Sequence, residues 1–251
     1  MGQYPVISIS LKSMKQADFE TAFIVFKKFI SKEVCRHDVL LSSDKIYESD
    51  KKTLRKLFNA EGEYSDYNTV LKLLADNLKS LYDKNVIVLI DEYDVPLKTA
   101  YFNGCYEPMV NLICSVFESV LKTNSSLEFA VLTGCLRISK ESIFTGLNNL
   151  CIYSVIENAF SQYYGFTEEE VRKLTEYFGI VAKYDEIKNW YDGYQFGETK
   201  IYNPWSIDYI VFHKHLCDKQ MLFVLRRMPH HLILKSVLFM IGRLLNIGTI
   251  N

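Results

Sequence analysis

The chain has 251 residues, 49% of them hydrophobic and 24% charged, with a formal net charge of −1. That length accommodates one large domain or two small ones, and the apolar content is enough for a folded core. Near-neutral charge excludes a bulk electrostatic drive toward nucleic acid or membrane. The six cysteines, at positions 35, 105, 114, 135, 151 and 217, include no C-x-x-C pair and sit mostly in apolar segments. This predicts reduced thiols and a cytoplasmic location. The opening residues, Met1 to Pro5, lack the basic end and apolar run of a signal peptide and make a poor myristoylation signal. Leu232 to Ile247 is interrupted by Lys235 and Arg243, so it predicts an amphipathic helix rather than a membrane span.

In chain order, Pro5 to Leu11 alternates and is β-branched, which predicts a strand. A chain opening on an interior strand is unusual and suggests truncation. Phe19, Phe23, Phe26 and Ile30 form a helical face over Asp18 to Ser31, and a second helix is expected over Lys32 to Leu41. Lys45 to Phe58 predicts a more polar helix, and Asp66 to Leu81 a strongly amphipathic one. Val86 to Ile90 is an unbroken aliphatic run, too short for a helix, and predicts a strand buried on both faces. A linker is expected after Pro96, then a helix over Glu107 to Lys122. Leu127 to Leu132 predicts the next strand, ending in Thr133-Gly134. Strand, helix, strand at this spacing is a βαβ unit, so the two strands should be parallel. Cys151 to Ile156 predicts a further short strand.

The buried strand ends in Asp91-Glu92, which places two acids at the carboxyl edge of a sheet, where open α/β sheets bind ligands. In P-loop ATPases this position is the Walker B acid pair. The Asp holds Mg²⁺, directly or through water, and the Glu polarises the attacking water. The competing reading is a strand followed by a solvated acidic turn. Thr133 should emerge from the same edge and can sense a γ-phosphate, or it can simply form a strand-to-loop turn. Arg137 and Lys140, in the long loop that follows, can pair with phosphate oxygens or with surface acids.

Beyond Gly165 the composition shifts. Thr167 and Glu170 form a capping box opening a helix to about Tyr177. Asp185 opens another, ending near Trp190. Tyr194 to Phe196 and Lys200 to Tyr202 can pair as a hairpin across turn residues, and Pro204 begins a further helix. This is the content of a small helical, winged-helix-like lid. Residues 211–251 carry six Lys or Arg against one Asp, a local balance of +5. Such a basic tail fits nucleic acid or acidic lipid, or a helical end that requires a continuation. His213, His215 and Cys217 are metal-ligand types, but alternate residues on a helix face different ways. Glu198-Thr199-Lys200, with Asp185 and Asp192 upstream, is a minimal nuclease-like pattern that lacks a supporting sheet.

Taken together, several blocks resemble one family. They are YPVISI (Tyr4 to Ile9), LIDEYDVPL (Leu89 to Leu97) and LTGCLRISKESIFTGLNNL (Leu132 to Leu150), followed by YGFTEEEV (Tyr164 to Val171), WYDGYQFG (Trp190 to Gly197) and IYNPWS (Ile201 to Ser206). In this order they resemble the AAA-ATPase-like family of bacterial and archaeal proteins, whose members often carry a PD-(D/E)xK nuclease-like domain at the C-terminus. The resemblance implies a P-loop NTPase-like parallel sheet flanked by helices over residues 1–160, a lid over 161–210 and a divergent tail over 211–251. It also implies Mg²⁺ and ATP as ligands. Asp91 would be the metal-coordinating acid, Glu92 the general base and Thr133 the sensor, with Arg137 and Lys140 in the family's characteristic loop.

The chain departs from that pattern in two ways. It contains no GxxxxGK[ST]; of its eleven glycines none is followed by Lys. The backbone N–H groups and Lys of such a loop carry most of the phosphate grip, so catalysis and tight ATP binding are expected to fail. The nuclease-like domain is also absent, and the sequence after about Val211 no longer resembles the family. The expectation is therefore a truncated ATPase domain that retains its Mg²⁺ and water half. The alternatives are a non-catalytic interaction scaffold, self-associating or bound to another protein, and a metal-dependent nuclease.

Overall fold

The computed structural model describes residues 2–135, 150–177, 179, 184–190, 193–204, 206 and 207. Arg137, Lys140, Asp192, the histidines and cysteine of 213–217 and the tail over 211–251 fall outside the described residues. The chain divides into two compact units, Met1–Leu150 and Cys151–Asn251.

The first unit is built on three parallel strands, β1 (Val6–Ser10), β2 (Val86–Asp91) and β3 (Leu127–Leu132), in the order β1-β2-β3. The pairing runs from Val6 opposite Ile87 to Ser10 opposite Asp91, and from Ile87 opposite Phe129 to Ile90 opposite Leu132. Both crossovers are helical. Between β1 and β2 lie α1 (Phe19–Arg36), α2 (Val39–Ser42), α3 (Glu48–Phe58), α4 (Tyr64–Asn68) and α5 (Val70–Tyr82). Between β2 and β3 lie α6 (Val95–Asn103) and α7 (Tyr106–Leu121). The unit is thus mixed α/β with the parallel βαβ arrangement the sequence predicts.

Neighbours in a parallel register share a face. Ile7, Ile9, Val88, Ile90, Ala130 and Leu132 form one face and belong to the main core with Leu71, Leu74, Leu112, Val116 and Phe117 from α5 and α7. Val6, Ser8, Ile87, Leu89, Phe129 and Val131 form the other face and lie outside that core, with Phe129 39% exposed. Burial on both faces therefore holds for much of central β2 but not for the sheet.

The outer edge of β1 is closed by side chains. Ser8 N donates to Glu33 Oε1 at 2.8 Å, and Arg36 Nη2 donates to the Val6 carbonyl at 2.6 Å. Glu33 is only 4% exposed and also meets His37 Nε2 at 3.2 Å and Arg36 at 3.3 Å. A buried carboxylate is tolerated when paired in this way, and it blocks strand addition at that edge.

Several local expectations need correction. Two helices occupy this stretch, but the first runs on past Ser31 to Arg36, because no Gly or Pro interrupts 19–36, and the second is confined to Val39–Ser42; Asp18 caps the first by accepting from Thr21 N at 2.8 Å. The chain breaks only after Arg36. The helix expected over 66–81 is two, broken at Thr69. No linker follows Pro96; it occupies the first turn of α6, where its missing N–H leaves no bond unmade. Cys151 to Ile156 is not a strand. It is mostly exposed and has no ladder partner among the described residues.

In the second unit β4 (Phe166–Thr167), β5 (Tyr194–Phe196) and β6 (Thr199–Tyr202) form an antiparallel sheet ordered β4-β6-β5. It packs with α8 (Glu168–Tyr177) and α9 (Tyr184–Trp190) around Val171, Tyr184, Ile187, Tyr202 and Ile207. The capping box forms, with Thr167 N donating to Glu170 Oε2 at 2.9 Å and Glu170 N to Thr167 Oγ1 at 3.3 Å. The hairpin forms as expected. Glu198 lies in its turn and Lys200 on its exposed side. Among the described residues no helix is long and apolar enough to cross a membrane.

Candidate functional site

The carboxyl ends of all three strands converge on Asp91. Leu11 N donates to the Asp91 carbonyl at 2.9 Å, which ties the exit of β1 alongside it. Ser10 Oγ donates to Asp91 Oδ2 at 2.9 Å, and Thr133 Oγ1 donates to Oδ1 at 2.8 Å. Each carboxylate oxygen is therefore held by a hydroxyl from the strand on one side or the other. Thr133 is more than a turn residue; its side chain braces the acid.

Immediately afterwards the backbone turns sharply. Glu92 has φ of 53°, a left-handed conformation that costs a non-glycine residue energy and persists only when its surroundings hold it. Here the hold comes from β3: Thr133 N donates to the Ile90 carbonyl at 2.9 Å and Tyr93 N donates to the Thr133 carbonyl at 3.0 Å. The turn leaves Glu92 5% exposed. Its carboxylate accepts no hydrogen bond from the described residues. Burial, followed by the charge of Asp91, raises its pKa, and the charges of Lys12 and Lys15 partly offset this.

Asp94, 2% exposed, accepts from Cys135 N at 3.2 Å. Gly134 is packed against this corner. A Cβ there would lie 2.7 Å from Tyr93 Cε1 and 2.8 Å from Asp94 Oδ1.

The structure thus brings Asp91, Glu92 and Thr133 together, while Arg137 and Lys140 lie outside the described residues. The sequence reading missed Ser10, Lys12, Lys15, Asp94 and the packing of Gly134. The signal for Ser10 and Lys12 was available: if β1 pairs parallel with β2, its polar exit Ser10-Leu11-Lys12 must lie beside Asp91.

The donor set of this edge is carboxylate and hydroxyl oxygen. That set suits a hard cation such as Mg²⁺, which binds through one or two carboxylates and keeps several waters and substrate phosphates. Among the described residues no group of three or more His, Cys, Asp or Glu converges as a protein-only metal cage. The cysteines of the described residues are all free thiols.

Comparison with known proteins agrees with the geometry. The chain is similar to an uncharacterised protein encoded in the vnfD 5′ region of Azotobacter chroococcum mcd 1, 31% identical over 131 residues. The match covers 49% of this chain and 24% of that protein, so the chain spans about a quarter of the relative's length. No solved structure matches. The family model described as Predicted AAA-ATPase matches residues 1–144, the whole of the parallel sheet and the segment that carries Asp91, Glu92 and Thr133, and the chain belongs to that AAA-ATPase-like family.

Proposed function

We propose that this chain is the acid-bearing half of a magnesium–ATP site in a P-loop-type ATPase domain. The observation that carries the reading is the pairing, at one sheet edge, of a hydroxyl-braced Asp91 with a buried Glu92 whose carboxylate accepts no hydrogen bond among the described residues. Asp91 would hold a magnesium ion, directly or through water, with Ser10 and Thr133 fixing its carboxylate, and the ion would supply positive charge against that developing on the phosphates. Glu92 takes the proton of the attacking water. Burial and the Asp91 charge raise its proton affinity, which moves a carboxylate toward the operating range of a general base. Thr133, bonded to Asp91, would respond to the terminal phosphate, and Arg137 and Lys140 would contribute positive charge to the phosphates. In longer relatives turnover would drive a change in residues 161–210 or in an appended domain. A reducing, cytoplasmic setting fits the free thiols.

The sequence holds no glycine-rich phosphate cradle, so affinity is weak and turnover absent in this chain alone. The test is a titration of the purified chain with Mg-ATP, followed with a fluorescent analogue, beside Asp91→Ala. Saturable binding in the millimolar range that Asp91→Ala abolishes is the expected result. No binding, or binding indifferent to Asp91, refutes the reading and favours a non-catalytic scaffold. For that scaffold, Asp91→Ala and Glu92→Gln would leave partner binding unchanged.

A further inference from the structure

The connection from β1 to α1 carries two cations, Lys12 and Lys15, whose side chains form no ion pair among the described residues. Lys12 follows Leu11, whose N–H is bonded to the Asp91 carbonyl, so Lys12 emerges at the same sheet edge as the acids. The chain then coils tightly, Met14 N donating to the Leu11 carbonyl at 3.0 Å and Lys15 N to the Ser13 carbonyl at 3.0 Å. Lys15 is thereby kept at that edge instead of being carried away along an extended segment. Lys12 is half-buried and Lys15 exposed. Both lie close enough to Glu92 for their charges to act on it. Yet neither forms an ion pair among the described residues, although several other lysines of the chain do.

Two lysines thus share a sheet edge with Asp91 and Glu92 and act on the Glu92 carboxylate by their charge, without an ion pair to it among the described residues. Such an arrangement fits neither a simple anion, which the acids repel, nor a bare cation, which the lysines repel. It matches a ligand carrying both signs: a divalent cation on an oligophosphate, its metal toward Asp91 and its phosphate oxygens toward the ammonium groups. Lysine is a point-charge phosphate ligand that does not need the fixed fork of arginine.

We propose that Lys12 and Lys15 are the anion-binding residues of this site, gripping the phosphate oxygens of a magnesium–nucleoside triphosphate whose metal sits at Asp91. This rests on the nucleotide reading above. It assigns the grip to residues of the β1–α1 connection.

The test is calorimetric titration of the whole chain with Mg-ATP and, separately, with magnesium tripolyphosphate, which has the charges but no base or ribose. Wild type is compared with Lys12→Ala, Lys15→Ala, Lys12→Arg and the charge-reversing Lys15→Glu. Lys72→Ala, which breaks the Lys72–Asp76 pair on α5, is the control, and unfolding midpoints are recorded for all. The expected result is that each alanine variant weakens both ligands about tenfold at an unchanged midpoint. Lys12→Arg should recover part of the loss, Lys15→Glu should lose more than Lys15→Ala, and Lys72→Ala should match wild type. Lys15→Glu, at an exposed position, keeps the test decisive should a Lys12 variant not fold. If wild type binds Mg-ATP and the lysine variants bind it equally, the lysine assignment falls and the nucleotide reading stands. Mg-ATP binding that tripolyphosphate does not displace likewise overturns a grip on phosphate. If wild type binds neither ligand, both fall together.

Discussion

Replacing Gly134 by alanine tests whether the corner behind the acids is as rigid as its packing implies. The added methyl would lie 2.7 Å and 2.9 Å from ring carbons of Tyr93 and 2.8 Å from Asp94 Oδ1. Neither neighbour can step aside freely. Tyr93 is 8% exposed and Asp94 2% exposed, and Asp94 also receives Cys135 N. Overpacking of this kind costs about 1–3 kcal/mol. The displacement also has a direction. Gly134 follows Thr133, so relief by moving the loop pulls Thr133 Oγ1 from its 2.8 Å bond to Asp91. Gly104→Ala is the comparison. That residue has φ of 74° and nothing within 4 Å of its Cβ position, so alanine there costs about 1–2 kcal/mol through left-handed backbone strain. Equilibrium urea unfolding should show both variants destabilised, but only Gly134→Ala should also weaken Mg-ATP binding. An unfolding midpoint for Gly134→Ala equal to wild type would refute the reasoning, because the corner would then yield at no cost.

The other predictions concern single bonds. Glu33→Ala removes the acceptor of Ser8 N and leaves the β1 edge open, and it should cost about 2–3 kcal/mol in urea unfolding; Glu33→Gln, which keeps an acceptor for Ser8, should cost less. Thr133→Val preserves shape and removes the hydroxyl from Asp91, so it should weaken Asp91-dependent nucleotide binding while changing unfolding by only about 1 kcal/mol. In the second unit, the Tyr184 hydroxyl donating to Glu168 at 2.7 Å holds that carboxyl below its ordinary value of 4.5, with Arg172 adding to the effect. The folded state then binds fewer protons than the unfolded state, so the contribution is present above 4.5 and is lost as pH falls. Stability measured against pH should therefore show the difference between wild type and Tyr184→Phe shrinking on acidification, and a constant difference would count against the bond.

The central strand and its acids were legible because an aliphatic run closed by two carboxylates has few structural solutions, and the βαβ spacing set its parallel partner. The hairpin and the capping box in the second unit were legible for a similar reason, since turn residues and the Thr167–Glu170 spacing are local signals. What the sequence concealed was tertiary. Glu33 reads as one more helix-surface acid until β1 is placed beside it. Phe129 and Val131 read as core until the covered face of the sheet is known. Pro96 reads as a break when its neighbours do not reveal that a helix starts there. Lys12 and Lys15 gained meaning only once β1 was registered against β2, because the acids they face lie some eighty residues further along the chain.

Whether the acid pair needs any further segment to hold its shape can be argued from its bonds. The kink at Glu92 is fixed by Thr133 N to Ile90, Tyr93 N to Thr133 and Leu11 N to Asp91, all backbone bonds within one three-stranded sheet. Both oxygens of Asp91 are braced from within that sheet by Ser10 and Thr133. The strained conformation at Glu92 is therefore maintained by bonds within the fold, and strain so maintained is available as preorganisation when a ligand binds. A phosphate cradle contributed by another segment or subunit would meet acids already in position. Its absence would lower affinity without disordering them, so Asp91-dependent binding and strong binding are separable properties of this domain.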